Sequence, residues 1–369
     1  MSLAVSSVGE LQDGILAGRR LLARGGGTKT GLSSDLPGFE IADLRRLSGV
    51  VEHQPSEFTI TALAGTRLSK LEEILAAQGQ YLPFDPILVA RGSTVGGAVA
   101  SGVAGSGRLR YGGVRDFVLA VAIVDGRGRL VRGGGRVVKN AAGFDLPKLM
   151  VGSVGALGIL TEVCFKVFPR SSSMVTVRAD YDSLEEAVAA LVVLRGGPYE
   201  LDALDLDGSF SLWARIAGLE KALAGRAERV RSILGRGETV DAAVAVEHWS
   251  MVRELGWLRD ETFLVKVPLT PPRILDLDRR VEGLSSTRYY SAGGQQAWLA
   301  LTSPKDLTSL DRVLSDAGLR GLVVLGDGGP VLLGVSRDRE LVERLRRALD
   351  PRGLFRSVDS LAERTCGTR

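Results

Sequence analysis

Arg24-Gly25-Gly26-Gly27-Thr28-Lys29 closes a short apolar run, Arg20 to Ala23, which follows a helix-like pattern over Val8 to Ala17 with a cap at Ser6 or Ser7. The order is helix, strand, glycine loop. Three consecutive glycines let the backbone turn with φ > 0, so successive amides can face one point as an anion nest beside the Thr28 hydroxyl and the Lys29 ammonium. It is not a Walker loop, because no Gly-Lys-Ser/Thr follows, and Gly25-x-Gly27-x-x-Thr30 breaks the dinucleotide fingerprint. Taken alone, the loop reads equally well as a surface turn.

Working outward, Phe58 to Leu63 reads as a strand, and Leu68, Leu71, Ile74 and Leu75 recur at helical spacing before Gly79. The first third therefore has an α/β texture. Residues 91–113 hold eight glycines, among them Gly92, Gly96, Gly97 and Gly102, with apolar Val95, Val99 and Val103 between them. This is too apolar for a Gly/Ser tether, so a long packed loop against a ligand is expected, and Gly92 to Gly97 reads either as backbone approaching a flat or phosphorylated ligand or as a Gly-rich core crossing. Phe117 to Val124 and Arg129 to Arg132 flank Asp125-Gly126-Arg127-Gly128 as a hairpin. Two more motifs follow: Lys139-Asn140-Ala141-Ala142-Gly143-Phe144-Asp145-Leu146, and Gly152-Ser153-Val154-Gly155-Ala156-Leu157-Gly158-Ile159.

Composition bounds the function. The chain has 369 residues, enough for two domains, and its 47 glycines are nearly twice the usual share of ~7%. Residues 1–170 carry 20 Lys+Arg against 14 Asp+Glu, whereas the remainder carries 27 against 29. A basic, glycine-rich first half suggests phosphate. A nucleic-acid binder is disfavoured despite pI ≈ 9.2, because the arginines sit in glycine turns without interleaved aromatics. Two cysteines, Cys164 and Cys366, cannot hold an iron–sulfur cluster or a cysteine metal site, and a reduced, cytoplasmic compartment is expected. No basic n-region precedes an apolar core at the start, and no apolar run approaches the ~20 residues of a membrane span.

Past Pro169 the texture changes, and Ser171 to Ser173 marks a boundary between domains at 1–171 and 172–369. The second half contains a weak internal repeat of β-α-β-β-α order, one copy starting near Met174 and the other near Thr262, as in ferredoxin-like units. Trp213, Trp249, Trp257 and Trp298 all lie there and mark a candidate partner surface.

The order and spacing of these motifs resemble the vanillyl-alcohol-oxidase, or PCMH-type, FAD-binding family over residues 1–170. Within it, the Val138 to Leu149 phrase and the Gly152 to Gly158 turn are similar to the FAD-binding subunits of glycolate oxidases. The resemblance implies an α+β fold: a two-lobed PCMH-type FAD-binding domain followed by a ferredoxin-like α+β cap domain. It implies FAD held non-covalently, since no His or Cys stands beside the glycine loop. The pyrophosphate would fall on Arg24, Gly25, Gly26, Gly27, Thr28 and Lys29. Ser93, Thr94, Gly96, Gly97 and Gly102 would wrap pyrophosphate and flavin, and Gly152, Gly155 and Ile159 would approach ribose and adenine. Arg110 and Lys139 would be flavin or substrate contacts. It further implies oxidation of a small 2-hydroxy acid such as glycolate, a larger homologous FAD subunit and a separate iron–sulfur subunit as partners, and any membrane association through those partners.

Departures from the pattern bear on catalysis. Catalytic relatives carry several histidines in the C-terminal half, but this chain has only His53, read as an exposed structural residue, and His248, at an expected helix start. His248 is the weak candidate for a catalytic base, the general base is otherwise unknown, and no metal site is expected. Val154 stands where catalytic relatives have Glu, and Arg356-Ser357-Val358 replaces Asn-Pro-Gly near the end. Two alternatives stay open: a stand-alone FAD-dependent alcohol or sugar oxidoreductase, and a non-catalytic structural subunit with a vestigial FAD site.

Overall fold

Ser7 opens the helix Val8–Leu16 through a capping box in which its side chain accepts from Glu10 N and the Glu10 carboxylate accepts from the backbone around the cap. That helix lies between strands β1 (Ser2–Ala4) and β2 (Leu21–Arg24), which both pair in parallel with β3 (Glu40–Asp43). The computed structural model describes residues 2–135, 145–259, 262–336 and 339–357.

A second sheet follows, made of β4 (Val50–Gln54), β5 (Thr59–Leu63), β7 (Val118–Val124), β8 (Leu130–Gly134) and β9 (Ile159–Lys166), while β6 (Gln80–Tyr81) pairs only with β10 (Phe168–Pro169). Its order is β4-β5-β9-β7-β8, and every pair is antiparallel. The α/β texture expected from sequence is thus confined to the three-stranded lobe. The two lobes share a core in which Leu11, Ile15 and Leu21 of the first meet Val124 and Ile159 of the second.

These elements form one compact unit of residues 2–104, 113–170 and 336–357, and the second unit takes residues 105–112 and 171–335. The division differs from an uninterrupted 1–171 and 172–369 split in two places, each with a physical cause. Residues 105–112 go with the second unit because Ser106 Oγ donates to buried Asp205 and Arg110 donates to the Glu200 carbonyl (2.9 Å). The tail returns to the first unit because Phe355, 1% exposed, packs beside Leu21, and Asp350 accepts from both Leu354 N and Phe355 N at 2.9 Å.

The second unit is one antiparallel sheet of nine strands: β11 (Ser173–Asp180), β12 (Ala203–Leu206), β13 (Ser211–Gly218), β14 (Glu238–Thr239), β15 (Phe263–Pro268), β16 (Thr287–Ser291), β17 (Gln296–Leu301), β18 (Arg320–Leu325) and β19 (Leu332–Gly334). Their order is β14-β11-β13-β12-β16-β17-β15-β18-β19. The first four strands read 4-1-3-2 in chain order and the next four read 2-3-1-4, so two β-α-β-β-α-β blocks abut through their second strands. One face is apolar and is covered by the helices Leu184–Gly196, Glu220–Leu234, Ile274–Arg280 and Pro304–Asp316.

The tryptophans do not mark a surface. Trp213 and Trp298 are 7% and 4% exposed, Trp257 stacks on Tyr289, and Trp249 donates to Thr176 Oγ1. No helix among the described residues is long and apolar enough to cross a membrane.

Candidate cofactor site

The site lies in the first unit, in a cleft where the loop after β2 meets the segment before the helix Val95–Ser101. Residues 91–113 are therefore not the unbroken loop expected, since they hold that helix and the turn Arg108–Tyr111. Alanines and glycines hid the helix, because its buried face is small rather than periodic in large apolar residues. The cleft is lined by residues 23–29, Thr94, Gly96, Gly97 and Gly155, with Leu44, Ala64, Val154 and Leu160 as its apolar wall.

Both ends of the loop are fixed. The Arg24 carbonyl accepts from Leu44 N (2.9 Å), and the Lys29 carbonyl accepts from Leu32 N and Ser33 N. Between them the amides of Gly25, Gly26, Gly27 and Thr28 have no partner among the described residues. Four adjacent free donors beside a cleft are an unusual arrangement in a fold that pairs nearly all its amides. The Thr28 and Ser93 hydroxyls lie 2.8 Å apart, and buried Lys29 donates to Ser93 Oγ (3.2 Å), which draws the ammonium toward the loop. Arg24 is tied to the Ser33 carbonyl and the Asp35 carboxylate through Nη2, while its Nε is buried without a partner among the described residues.

Gly27 turns with φ +65°, as expected of the loop, whereas Gly25 and Gly26 serve close approach. A Cβ at Gly26 would lie 2.0 Å from the Gly92 carbonyl oxygen, and one at Gly25 would lie 2.1 Å from Thr94 Oγ1. Absence of a side chain lets the two loops touch. The amides of the second segment are already used: Val95 N donates to Thr66 O, Gly96 N to Ala64 O (2.8 Å), and Gly97 N to Thr94 Oγ1 (3.3 Å). Gly96 and Gly97 thus give close approach rather than free amides.

The remaining candidates are spread more widely. Gly102 (φ +62°) ends the helix and abuts Gly152, whose amide donates to Val99 O (3.0 Å), so both lie behind the cleft wall rather than in it. Gly155 lines the cleft, whereas Ile159 points into the core and its neighbours Gly158 and Leu160 face the cleft instead. Val154 adopts φ +50°, a strained conformation for a β-branched residue, and beside it Ser153 Oγ is buried without a partner among the described residues. Arg110 belongs to the second unit and is engaged by Glu200, and Lys139 lies outside the described residues. Sequence reasoning missed Leu44, Ala64, Ala100, Ser101 and Leu160, ordinary core types whose only signal is their place at strand ends or on one helix face.

His248 is elsewhere. It sits in the middle of the helix Ala242–Arg253, not at its start, stacked on Trp213 with ring centroids 3.6 Å apart. Burial pulls its pKa down to about 4, so the ring is neutral at physiological pH, and its Nε2 has no partner among the described residues. His53 is half-buried rather than exposed and donates to Gln80 Oε1 (3.0 Å).

Free amides, a buried ammonium, an orphaned guanidinium N–H and an apolar wall suit a dinucleotide with a pyrophosphate at its centre. Comparison with known proteins agrees. Residues 15–134 match the FAD binding domain family. The chain is 34% identical over 345 residues, 93% of each chain, to the glycolate oxidase subunit GlcE of Escherichia coli (strain K12). It is 32% identical to the D-lactate dehydrogenase of Anaerostipes hadrus over 168 residues, 45% of this chain and 35% of that one. The fold is that of alkyldihydroxyacetonephosphate synthase, with a TM-score of 0.73 at 16% identity, covering 96% of this chain and 76% of that chain. The molecule is a flavoprotein with a PCMH-type FAD-binding domain. It belongs to the GlcE family of FAD-dependent oxidoreductases.

Proposed function

We propose that this chain is the FAD-binding subunit of a glycolate, or related 2-hydroxy acid, oxidase or dehydrogenase complex. The observation that carries the reading is the end-to-end similarity to GlcE, 93% of both chains, joined to a cleft whose free donors suit a pyrophosphate. Bound FAD supplies a hydride acceptor for C2 of the hydroxy acid.

In this reading the amides of Gly25, Gly26, Gly27 and Thr28 bind the pyrophosphate, with Lys29 held at Ser93 as the neighbouring cation. Arg24 Nε adds a donor, and Leu44, Ala64 and Leu160 exclude water from the nucleoside. Arg110 is not needed there, because its guanidinium already serves Glu200. Electrons leave through a separate iron–sulfur subunit, since two cysteines in the whole chain cannot ligate a cluster. A larger FAD subunit supplies the base for the hydroxyl proton that a buried, stacked His248 does not offer. The complex works in the cytoplasm, and any membrane attachment is through its partners.

An absorption spectrum of the purified chain tests the cofactor reading. Oxidised-flavin bands are expected, all of the flavin released into the supernatant on acid precipitation. A chain that stays colourless after incubation with FAD supports the vestigial-site alternative, and colour retained in the acid pellet contradicts non-covalent binding.

A further inference from the structure

A second concavity of the first unit backs onto the cofactor loop. It is a groove of about 610 Å³ lined by five cations, Arg45, Arg46, Arg67, Lys70 and Arg91, with Asp43 as the one acid in its lining. That volume falls in the usual range for small-ligand sites. Gly26 and Thr94 line both the groove and the cofactor cleft, so the touching Gly26 and Gly92 loops are a wall shared by the two spaces.

The backbone that carries the cations is pinned. Leu63 N donates to Gly49 O (3.0 Å), Gly65 N to Leu47 O (2.9 Å) and Gly49 N to Thr66 Oγ1 (2.9 Å), which stitches the turn between β3 and β4 to the end of β5. A Cβ at Gly65 would lie 1.8 Å from Leu44 O, so this stitch requires glycine. On the other side, Val95 N donates to Thr66 O (2.9 Å) and Leu68 N to Ser93 O (2.8 Å). Arg45 and Arg46 therefore leave from a fixed turn, Arg67 from between two anchored residues, and Arg91 from the turn in which Gly92 N donates to Val89 O (3.1 Å). The fold has already brought these like charges together, so a ligand does not have to order the backbone beneath them.

Two of the cations are engaged: Arg45 closes on Asp43 (2.6 Å) and Lys70 on Glu73 (3.0 Å). Arg46, Arg67 and Arg91 are exposed and have no hydrogen bond or ion pair among the described residues. One such arginine is an ordinary solvated side chain. Three on one concave surface, with the lining acid already answered, repel one another and present three donor forks that an anion satisfies. A carboxylate is planar and fills one fork, whereas linked tetrahedral phosphoryl groups present oxygens in several directions and can meet all three.

We propose that Arg46, Arg67 and Arg91 form a binding site for the polyphosphate group of a small ligand other than FAD. Calorimetric titration of the full FAD-loaded chain with inorganic triphosphate, ATP and citrate tests it. One triphosphate per chain is expected, with affinity falling as salt rises. Arg67→Ala or Arg91→Ala should weaken it about 10-fold or more, the loss expected for a charge-assisted hydrogen bond, with the flavin-to-protein absorbance ratio unchanged. Arg67→Lys keeps the charge without the fork and should fall between. Arg229→Ala removes the same charge from an exposed position on the helix Glu220–Leu234 and should have no effect. ATP binding as tightly as triphosphate assigns the group to a nucleotide, and triphosphate binding alone assigns it to a free polyphosphate. No triphosphate binding, equal weakening by Arg229→Ala, or citrate binding as tightly as triphosphate would each overturn the proposal. Displacement of FAD by triphosphate would place the anion in the cofactor cleft and overturn it as well. A chain that binds triphosphate through Arg67 but takes up no FAD overturns the cofactor reading alone.

Discussion

A methyl group at Gly26 would be placed 2.0 Å from a backbone oxygen, and that fact rather than glycine's flexibility makes this position intolerant of substitution. Gly26→Val is expected to push the 25–28 loop off the Gly92 segment and leave a folded but colourless chain; the ratio of flavin to protein absorbance measures it, and a normal ratio would remove the loop from the site. Lys266 carries a second test. Its folded pKa of about 8 is below the unfolded value of 10.5, so the fold disfavours the charged form. The resulting destabilisation is full below about pH 8 and vanishes as pH rises through 10.5. Lys266→Met should therefore stabilise the chain at pH 7, by up to about 3 kcal/mol, and lose that advantage above pH 10.5, as urea unfolding across pH would reveal. At this scale the sequence was legible where chemistry and position coincide, as in Gly25 to Lys29. It was silent on Arg46, Arg67 and Arg91, because only the fold brings their separate turns to one groove.

Among the elements, the segment 105–112 has the most specific attachment. Asp205, wholly buried, accepts from Ser106 Oγ, Tyr289 OH and Ala292 N, and burial raises its pKa to about 6 despite those donors. Its folded pKa lies above the unfolded 3.8, so its protonated form favours folding; that contribution is full below about pH 4 and is lost as pH rises through 6. Asp205→Ala would leave three donors unanswered and should cost roughly 3 kcal/mol or more. Faster hydrogen exchange of amides 105–112 is the expected signature, and unchanged protection would show that the segment is held by something else. Elements with strong local signals were readable: the capped first helix, the β7–β8 hairpin and the β-α-β-β-α order of the second half. The helix Val95–Ser101 was not, because glycine and alanine carry little periodicity, and the tail's return to β2 was not, because one phenylalanine does not disclose its partner.

Across the molecule, the two units should respond differently to cofactor. Ligand that binds only the folded first unit stabilises it by about 2.7 kcal/mol at a hundredfold excess over Kd. Added FAD should raise the first unit's unfolding transition and leave that of the second in place, and calorimetry showing an equal shift in both would contradict a site built from the first unit's residues. The family was legible because its glycine motifs keep their order over the first 170 residues. Catalytic competence was read from absences: no second histidine in the C-terminal half and no acid at Val154. A missing general base lowers a rate by roughly 10² to 10⁴. The most direct measurement of the account is glycolate-dependent dye reduction by the FAD-loaded chain alone, with a larger FAD subunit, and with that subunit and an iron–sulfur subunit together. Slow or absent turnover alone and rapid turnover only in the full assembly are expected. Rapid glycolate oxidation by the isolated chain would contradict the subunit assignment and would direct the search for a base back to His248.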